Sequence, residues 1–299
     1  IERIVTNAKR VYVAGDDDQA IFRWAGARPE YLINMEGERV ILDRSYRLPQ
    51  LIHGKANRLI KRVKDRVEKE WTSREERGEI NIHPVPQLNR LKNGKWLVLA
   101  RDRYHLDRLE EELKIEGVYY ERNDETSINK RIHEAILAWE DVRRGKSIDI
   151  KRVKRIYTYL KTGEGVSKEH KGMKNADKEK LYTYDTLSTQ YGLLINKELP
   201  WFKALENIES HKKTYVRMCL RRKENIRQGP RIKLSTIHGS KGSEADNVML
   251  LTDLSRKSDE EYWRQRDSER RVFYVGMTRA RNSLDIVRSQ TDREFTEAF

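Results

Sequence analysis

The stretch GDDDQAIFRWAGA, Gly15–Ala27, sets three aspartates and a glutamine directly before two aromatics and an arginine. An acidic cluster repels polyanions and attracts cations, whereas an aromatic–basic run attracts nucleic acid. Both in one turn read as a joint between two ligands. A polar side chain at the end of a parallel strand lies at the carboxyl edge of its sheet, where α/β ligands bind. Gln19 placed there can donate to and accept from a phosphate or its attacking water. Phe22 and Trp24, with Arg23 between them, are available for base stacking at about 1–3 kcal/mol each. The competing reading makes both aromatics core. In LDRSYRLP, Leu42–Pro49, Arg47 precedes a proline-closed loop, a rigid setting for a phosphate-seeking guanidinium; a surface salt bridge is the plainer alternative. In LSTIHGSKGSEADNVML, Gly239 and Gly242 flank Lys241, while Thr236, His238 and Ser240 offer donors to a phosphate backbone. Glu244 on the same loop could reach a sugar hydroxyl. In ERRVFYVGMTRARNSL, Arg279 and Arg281 follow Arg271 and Tyr274 near a helix end, where cations also serve as plain dipole partners.

To act together, these groups must sit on the strands and loops of one sheet. RVYVA (Arg10–Ala14) reads as a short strand after a helix end, and Val40–Leu42 as a second strand. Leu51, Ile52, Ala56, Leu59, Ile60 and Val63 recur at helical spacing. KWLVLAR is a buried strand, HLDRLEEELKIEG a helix stopped by Gly117, and VYYER the next strand. From about Asn123 to Gly229 the pattern is helical without a strand ladder. RIHEAILAWEDV and KRVKRIYTYLK each carry one apolar stripe, and KTGEGVSKEHKGMKNADKEK between helices reads as an exposed loop. Strands return at RIKLST, NVMLLTDL and SLDIVRS, around a helix over SERRVFYVGMTRARN with Ser268 as its expected N-cap. Such alternation predicts an α/β fold, a parallel sheet interrupted by a mainly helical insertion.

Composition narrows the partners. The 62 Lys and Arg exceed the 48 Asp and Glu, a net +14 that favours a polyanion over a merely solvated surface. Residues 121–230 carry 25 basic and 16 acidic side chains, so this helical segment holds most of the excess. Cys219 is the single cysteine, which excludes disulfide frames and cysteine-rich metal sites within this chain. No apolar run reaches about 18 residues, so no membrane span is expected, and no signal peptide opens the chain; a cytoplasmic protein is expected. The chain opens on Ile1 and reads as a piece of a longer protein. RRGKS mimics the end of a phosphate-binding loop, but Glu140 stands where the leading glycine belongs and a helix precedes it. The histidines show no paired metal spacing, and no metal site is expected.

In order, the four motif segments closely resemble motifs III, IV, V and VI of the UvrD/Rep/PcrA family of superfamily 1 DNA helicases. WLVLARDRYHLDRLEEELKIEGVYY is similar to that family's strand–helix segment. The resemblance covers roughly residues 1–122 and 230–299. It implies two RecA-like motor domains with ATP in the cleft between them and DNA across both. Residues 1–39 would end the first, 40–122 and 230–299 would form the second, and 123–229 would be a helical accessory insertion. Gln19 would sense the γ-phosphate; Arg47 and Arg279 would reach the triphosphate, Arg279 as arginine finger. Glu244 would bind near the ribose, with Gly242 close by. Phe22, Arg23 and Trp24 would meet bases, and Thr236 and His238 the DNA backbone. Trp24-Ala25-Gly26 departs from the family's Trp-Arg-Gly, removing one cation, and Ser243 replaces a hydrophobic residue. The Walker A loop and the Asp–Glu pair that holds Mg²⁺ are not in this sequence and are expected upstream. The reading is therefore the carboxyl-terminal part of an ATP-dependent helicase. By analogy it would translocate 3′ to 5′ on single-stranded DNA and unwind duplex; the fragment alone is expected to lack ATPase. The alternative is a helicase-derived DNA-binding or adaptor domain. A helicase–nuclease subunit ranks last because no carboxylate–lysine nuclease signature appears. A protein partner on the insertion is a further expectation.

Overall fold

The computed structural model describes residues 10–174 and 176–299. They form two compact units, one from residues up to Leu109 together with Leu234–Phe299, the other Glu110–Lys233. The helix end expected before Arg10 lies outside the described residues.

The first unit holds α1 (Pro29–Ile33), α2 (Gln50–Ile60), β1 (Glu79–His83), β2 (Trp96–Ala100) and the first part of α3 (His105–Ile115). The second unit holds β3 (Tyr120–Arg122), β4 (Glu125–Thr126), α4 (Lys130–Val142), α5 (Ile150–Tyr159), α6 (Tyr184–Gln190), α7 (Trp201–Ala204) and α8 (Ser210–Arg221). The chain then returns through β5 (Ile232–Thr236) to β6 (Ala245–Leu251), α9 (Arg256–Arg264), α10 (Arg266–Met277) and β7 (Ala280–Val287).

The sheet of the first unit runs β1–β7–β6–β2–β5. β1 with β7, β7 with β6, and β6 with β2 are parallel, and Val98 pairs directly with Met249. This is the parallel α/β architecture expected of the sequence. Every residue of β2 is buried, as a strand covered on both faces requires. α2 packs Ile52, Ala56, Leu59 and Ile60 inward, and α10 contributes Val272, Phe273, Val275 and Met277 to the same core. Gly276 lets α10 lie close to the sheet: a Cβ there would come within 3.0 Å of Leu250.

Several sequence expectations are corrected. Arg10–Ala14 and Val40–Leu42 are not strands. A strand needs a ladder partner, and among the described residues none flanks them; Tyr12 and Leu42 are 88% and 86% exposed, and only Arg44 forms an isolated bridge, to Thr72. Ser268 is not the N-cap of α10: Gln265 ends α9 and begins α10, so the helix starts two residues before Ser268. Nor does the helix run on to Asn282: it stops at Met277, and Ala280–Asn282 already belong to β7, paired with β6. The 161–180 loop is partly packed, with Val166 and Met173 buried and Val166 bridged to Leu193. β1 was not expected. Its sequence EINIH lies at the sheet edge, is half exposed, and so carries no apolar run.

The second unit is mainly helical. Its one antiparallel hairpin, β3–β4, turns through Asn123 and Asp124, both at positive φ (53° and 61°), the conformation a two-residue hairpin loop demands. β3 lies in the expected strand VYYER, and β4 extends it by one short antiparallel pairing. Asn129 and Asp149 cap α4 and α5 by accepting from Arg131 N and Arg152 N at 3.0 and 2.9 Å. Trp139 and Tyr157 fill the core, their polar atoms bonded to the carbonyls of Leu199 and Tyr191 at 2.9 and 2.8 Å. Among the described residues no helix is long and apolar enough to cross a membrane.

Candidate nucleotide and nucleic-acid site

The acidic turn is a single 3₁₀ turn, Asp17–Gln19, capped by Asp16, whose carboxylate accepts from Asp18 N at 3.1 Å. Asp17 and Asp18 are buried. Arg66 grips Asp18 with two bonds of 2.9 and 2.7 Å, and Lys69 donates to Asp16 at 3.0 Å, to Asp18 at 2.9 Å and to Asp17. Burial alone would raise the Asp18 carboxyl, but the bonds from Arg66 and Lys69 override it and hold it below the usual range. The three aspartates offer oxygens within 4.8 Å of one another, close enough for a metal, but the Lys69 ammonium already donates to all three. A divalent cation does not fit this turn while Lys69 holds it.

Gln19 hangs from the same turn. Its Nε2 donates to Asp16 at 2.6 Å, and its Oε1 accepts from Arg279 Nη2 at 3.4 Å. Arg279 lies between the end of α10 and the start of β7 and is 2% exposed. It donates to the carbonyls of Val275 at 3.0 Å and Ser243 at 3.3 Å and to Thr278 Oγ1 at 3.2 Å, and no carboxylate among the described residues pairs with it. Burial, with neighbouring Arg47 adding repulsion, pulls its guanidinium down to about 10. Arg47 is lowered by burial as well, and its Nε is buried without a hydrogen bond. Glu244 faces Arg47 at 3.8 Å and takes a tighter bond from Arg281 at 2.8 Å. Gly242 turns the loop before Glu244 in the left-handed region, φ +87°. Gln19, Arg47, Arg279, Gly242 and Glu244 thus come together at the starts of β6 and β7, where Arg47 shares Glu244 with Arg281 and Arg279 has no carboxylate partner among the described residues. Such an arrangement suits an anion with several oxygens.

The family model for the UvrD-like helicase C-terminal domain matches residues 117–291. The chain belongs to this UvrD-like helicase family. DNA helicase II of Haemophilus influenzae is 33% identical over 93 residues, a match covering 29% of this chain and 12% of that protein.

In this UvrD-like chain the expected DNA-contacting residues form a second cluster. Trp24 is 79% exposed, so the core reading of this ring fails, while Phe22 is half-buried. The two rings meet edge to face, 6.1 Å between centroids. His238 lies 5.8 Å from Phe22, and the Lys241 ammonium sits over the Phe22 ring at 5.4 Å while donating to the Gln19 carbonyl at 2.8 Å. Burial, then Arg101, pushes His238 down to about 4; the neutral ring therefore donates Nε2–H to the Ile21 carbonyl at 3.1 Å. Thr236 accepts from Gly239 N at 3.0 Å, and Arg23 is engaged by Glu30. His238, Thr236, Arg23 and Lys241 thus each have an internal partner, leaving Trp24 as the most available group, with the exposed Lys241 ammonium keeping further N–H donors free for phosphate. The motif reading missed Lys69 and Arg66. Their only sequence signal was indirect: three adjacent aspartates in a buried turn require counter-cations, and KDRVEK follows the helix.

Proposed function

We propose that this chain supplies the second motor half of an ATP-dependent DNA helicase, with the triphosphate facing Arg47 and Arg279 and single-stranded DNA on Trp24, Phe22 and Lys241. The carrying observation is Arg279: a buried guanidinium with no carboxylate partner, in contact with Gln19. A buried unpaired cation is costly, and a polyphosphate would provide the missing charge. ATP would supply the hydrolysable anhydride, and the Mg²⁺ that accompanies it would be held by residues other than Asp16–Asp18. Within this chain Arg279 would stabilise charge developing on the phosphoryl oxygens. Gln19 would link that site to Phe22 and Trp24 through the short segment between them. Translocation from 3′ to 5′ and duplex unwinding belong to the same proposal.

The test is Arg279→Ala in the full-length protein. DNA-stimulated ATPase should fall by about 10³-fold or more, the scale of an arginine finger, with oligonucleotide affinity retained. Near-normal turnover would favour the adaptor alternative, in which this half binds DNA without driving a motor.

A further inference from the structure

We propose that Lys69 is a positioning residue, a tethered cation that holds the acidic turn so that Gln19 presents its amide oxygen to Arg279. The Lys69 ammonium donates to all three carboxylates, and its side chain is 17% exposed against 2% for Asp17 and Asp18. Burial alone would pull this ammonium down, yet the surrounding carboxylates raise it above its ordinary value. Asp16 divides its two oxygens. Oδ1 takes Lys69 and the Asp18 amide, and Oδ2 takes the Gln19 Nε2 at 2.6 Å. A carboxylate can only accept, so it must face the NH₂ end of the glutamine. The Oε1 end is then left for Arg279, a pure donor, at 3.4 Å. The amide orientation thus follows from Asp16, and the place of Asp16 follows from Lys69.

Three further residues tie the turn to its surroundings. Arg66 binds Asp18, Val67 N donates to Asp17 Oδ2 at 2.8 Å, and Arg271 donates to the Asp17 carbonyl at 3.0 Å. Arg271 lies on α10, the helix that ends two residues before Arg279. With Lys69 removed, three adjacent carboxylates keep one ion-paired side chain among the described residues, Arg66, and it reaches Asp18 alone. The turn must then take up a proton, take up a cation or open, and each outcome disturbs Asp16 and with it Gln19.

The proposal rests on the nucleotide reading only for why the glutamine matters, and the experiment separates the two. In this chain, the Gln19 side-chain amide resonances, assigned by their loss in Gln19→Ala, should move toward those of free glutamine in Lys69→Met and stay near wild type in Lys69→Arg. Lys69→Ala vacates a pocket of three carboxylates, so added CaCl₂ should raise its melting temperature while leaving the wild type unchanged. In the full-length protein, Lys69→Met should lower kcat by about tenfold or more with KM for ATP and oligonucleotide affinity little changed, and Lys69→Arg should restore most of it. Unmoved Gln19 resonances in Lys69→Met, or no calcium response in Lys69→Ala, overturns the assignment. The calcium arm decides even if Lys69→Met fails to fold. Shifted resonances with normal ATPase would uphold Lys69 and defeat the nucleotide reading instead.

Discussion

Replacing Trp24 by alanine separates nucleic-acid stacking from packing. The ring is 79% exposed, so about a fifth of it is covered. A tryptophan buries up to about 250 Å²; a fifth is about 50 Å², or about 1 kcal/mol at 25 cal/mol per Å². A core tryptophan would cost about 3–5 kcal/mol. Melting temperature should therefore fall by only about 2–4 °C. Loss of one stacked base costs about 1–3 kcal/mol, a weakening of about 5- to 150-fold. Stacking releases no counterions, so the dependence of affinity on salt should keep its slope. The assay is fluorescence anisotropy with a labelled single-stranded oligonucleotide at several salt concentrations, beside calorimetric melting of the same samples. A stability loss on the core scale, or unchanged affinity, would refute the stacking role.

Four other outcomes are expected. On α5, Arg152 and Arg155 are already paired with Asp141 at 2.5 Å and Glu134 at 2.6 Å, so only the exposed Lys151 and Lys154 are available to phosphate. Lys151→Gln with Lys154→Gln should flatten the salt slope by about 1–2, whereas an unchanged slope would take this helix off the DNA path. Arg152→Ala should instead lower stability by about 1 kcal/mol, because Asp141 keeps Arg227 and Lys146; urea midpoints measure it. His238 is held at about 4 when folded, so the unfolded chain takes up its proton first as pH falls through 6.5. Its effect is a stability highest above pH 6.5 and declining toward pH 4. His238→Gln should flatten that decline in urea titrations at pH 7.5 and 5, and an equally steep decline would contradict the buried neutral ring. Gly242 sits at φ +87° with nothing within 4 Å of a would-be Cβ, so Gly242→Ala should cost only the backbone penalty of about 1–2 kcal/mol. A larger loss in thermal melts would mean a steric clash.

The sequence by itself determined the parallel α/β frame. WLVLA and VMLL are uninterrupted apolar runs, and such runs pair at the centre of a sheet covered on both faces. The short polar motifs singled out Gln19, Arg47, Glu244 and Arg279, which the fold gathers from four distant segments. Local pattern failed where structure depends on distant neighbours. Arg10–Ala14 and Val40–Leu42 have strand composition but no ladder partner among the described residues, and β1 has strand structure without strand composition because it lies at an edge. Polar chemistry was the least legible. Nothing in the order of residues says that Lys69 reaches back about fifty positions to three aspartates, that Glu30 engages Arg23, or that the His238 ring is spent on the Ile21 carbonyl. A motif lists which donors and acceptors are present. Which of them are satisfied internally, and which remain for a ligand, depends on distances between groups far apart in the chain, and only the folded structure sets those distances.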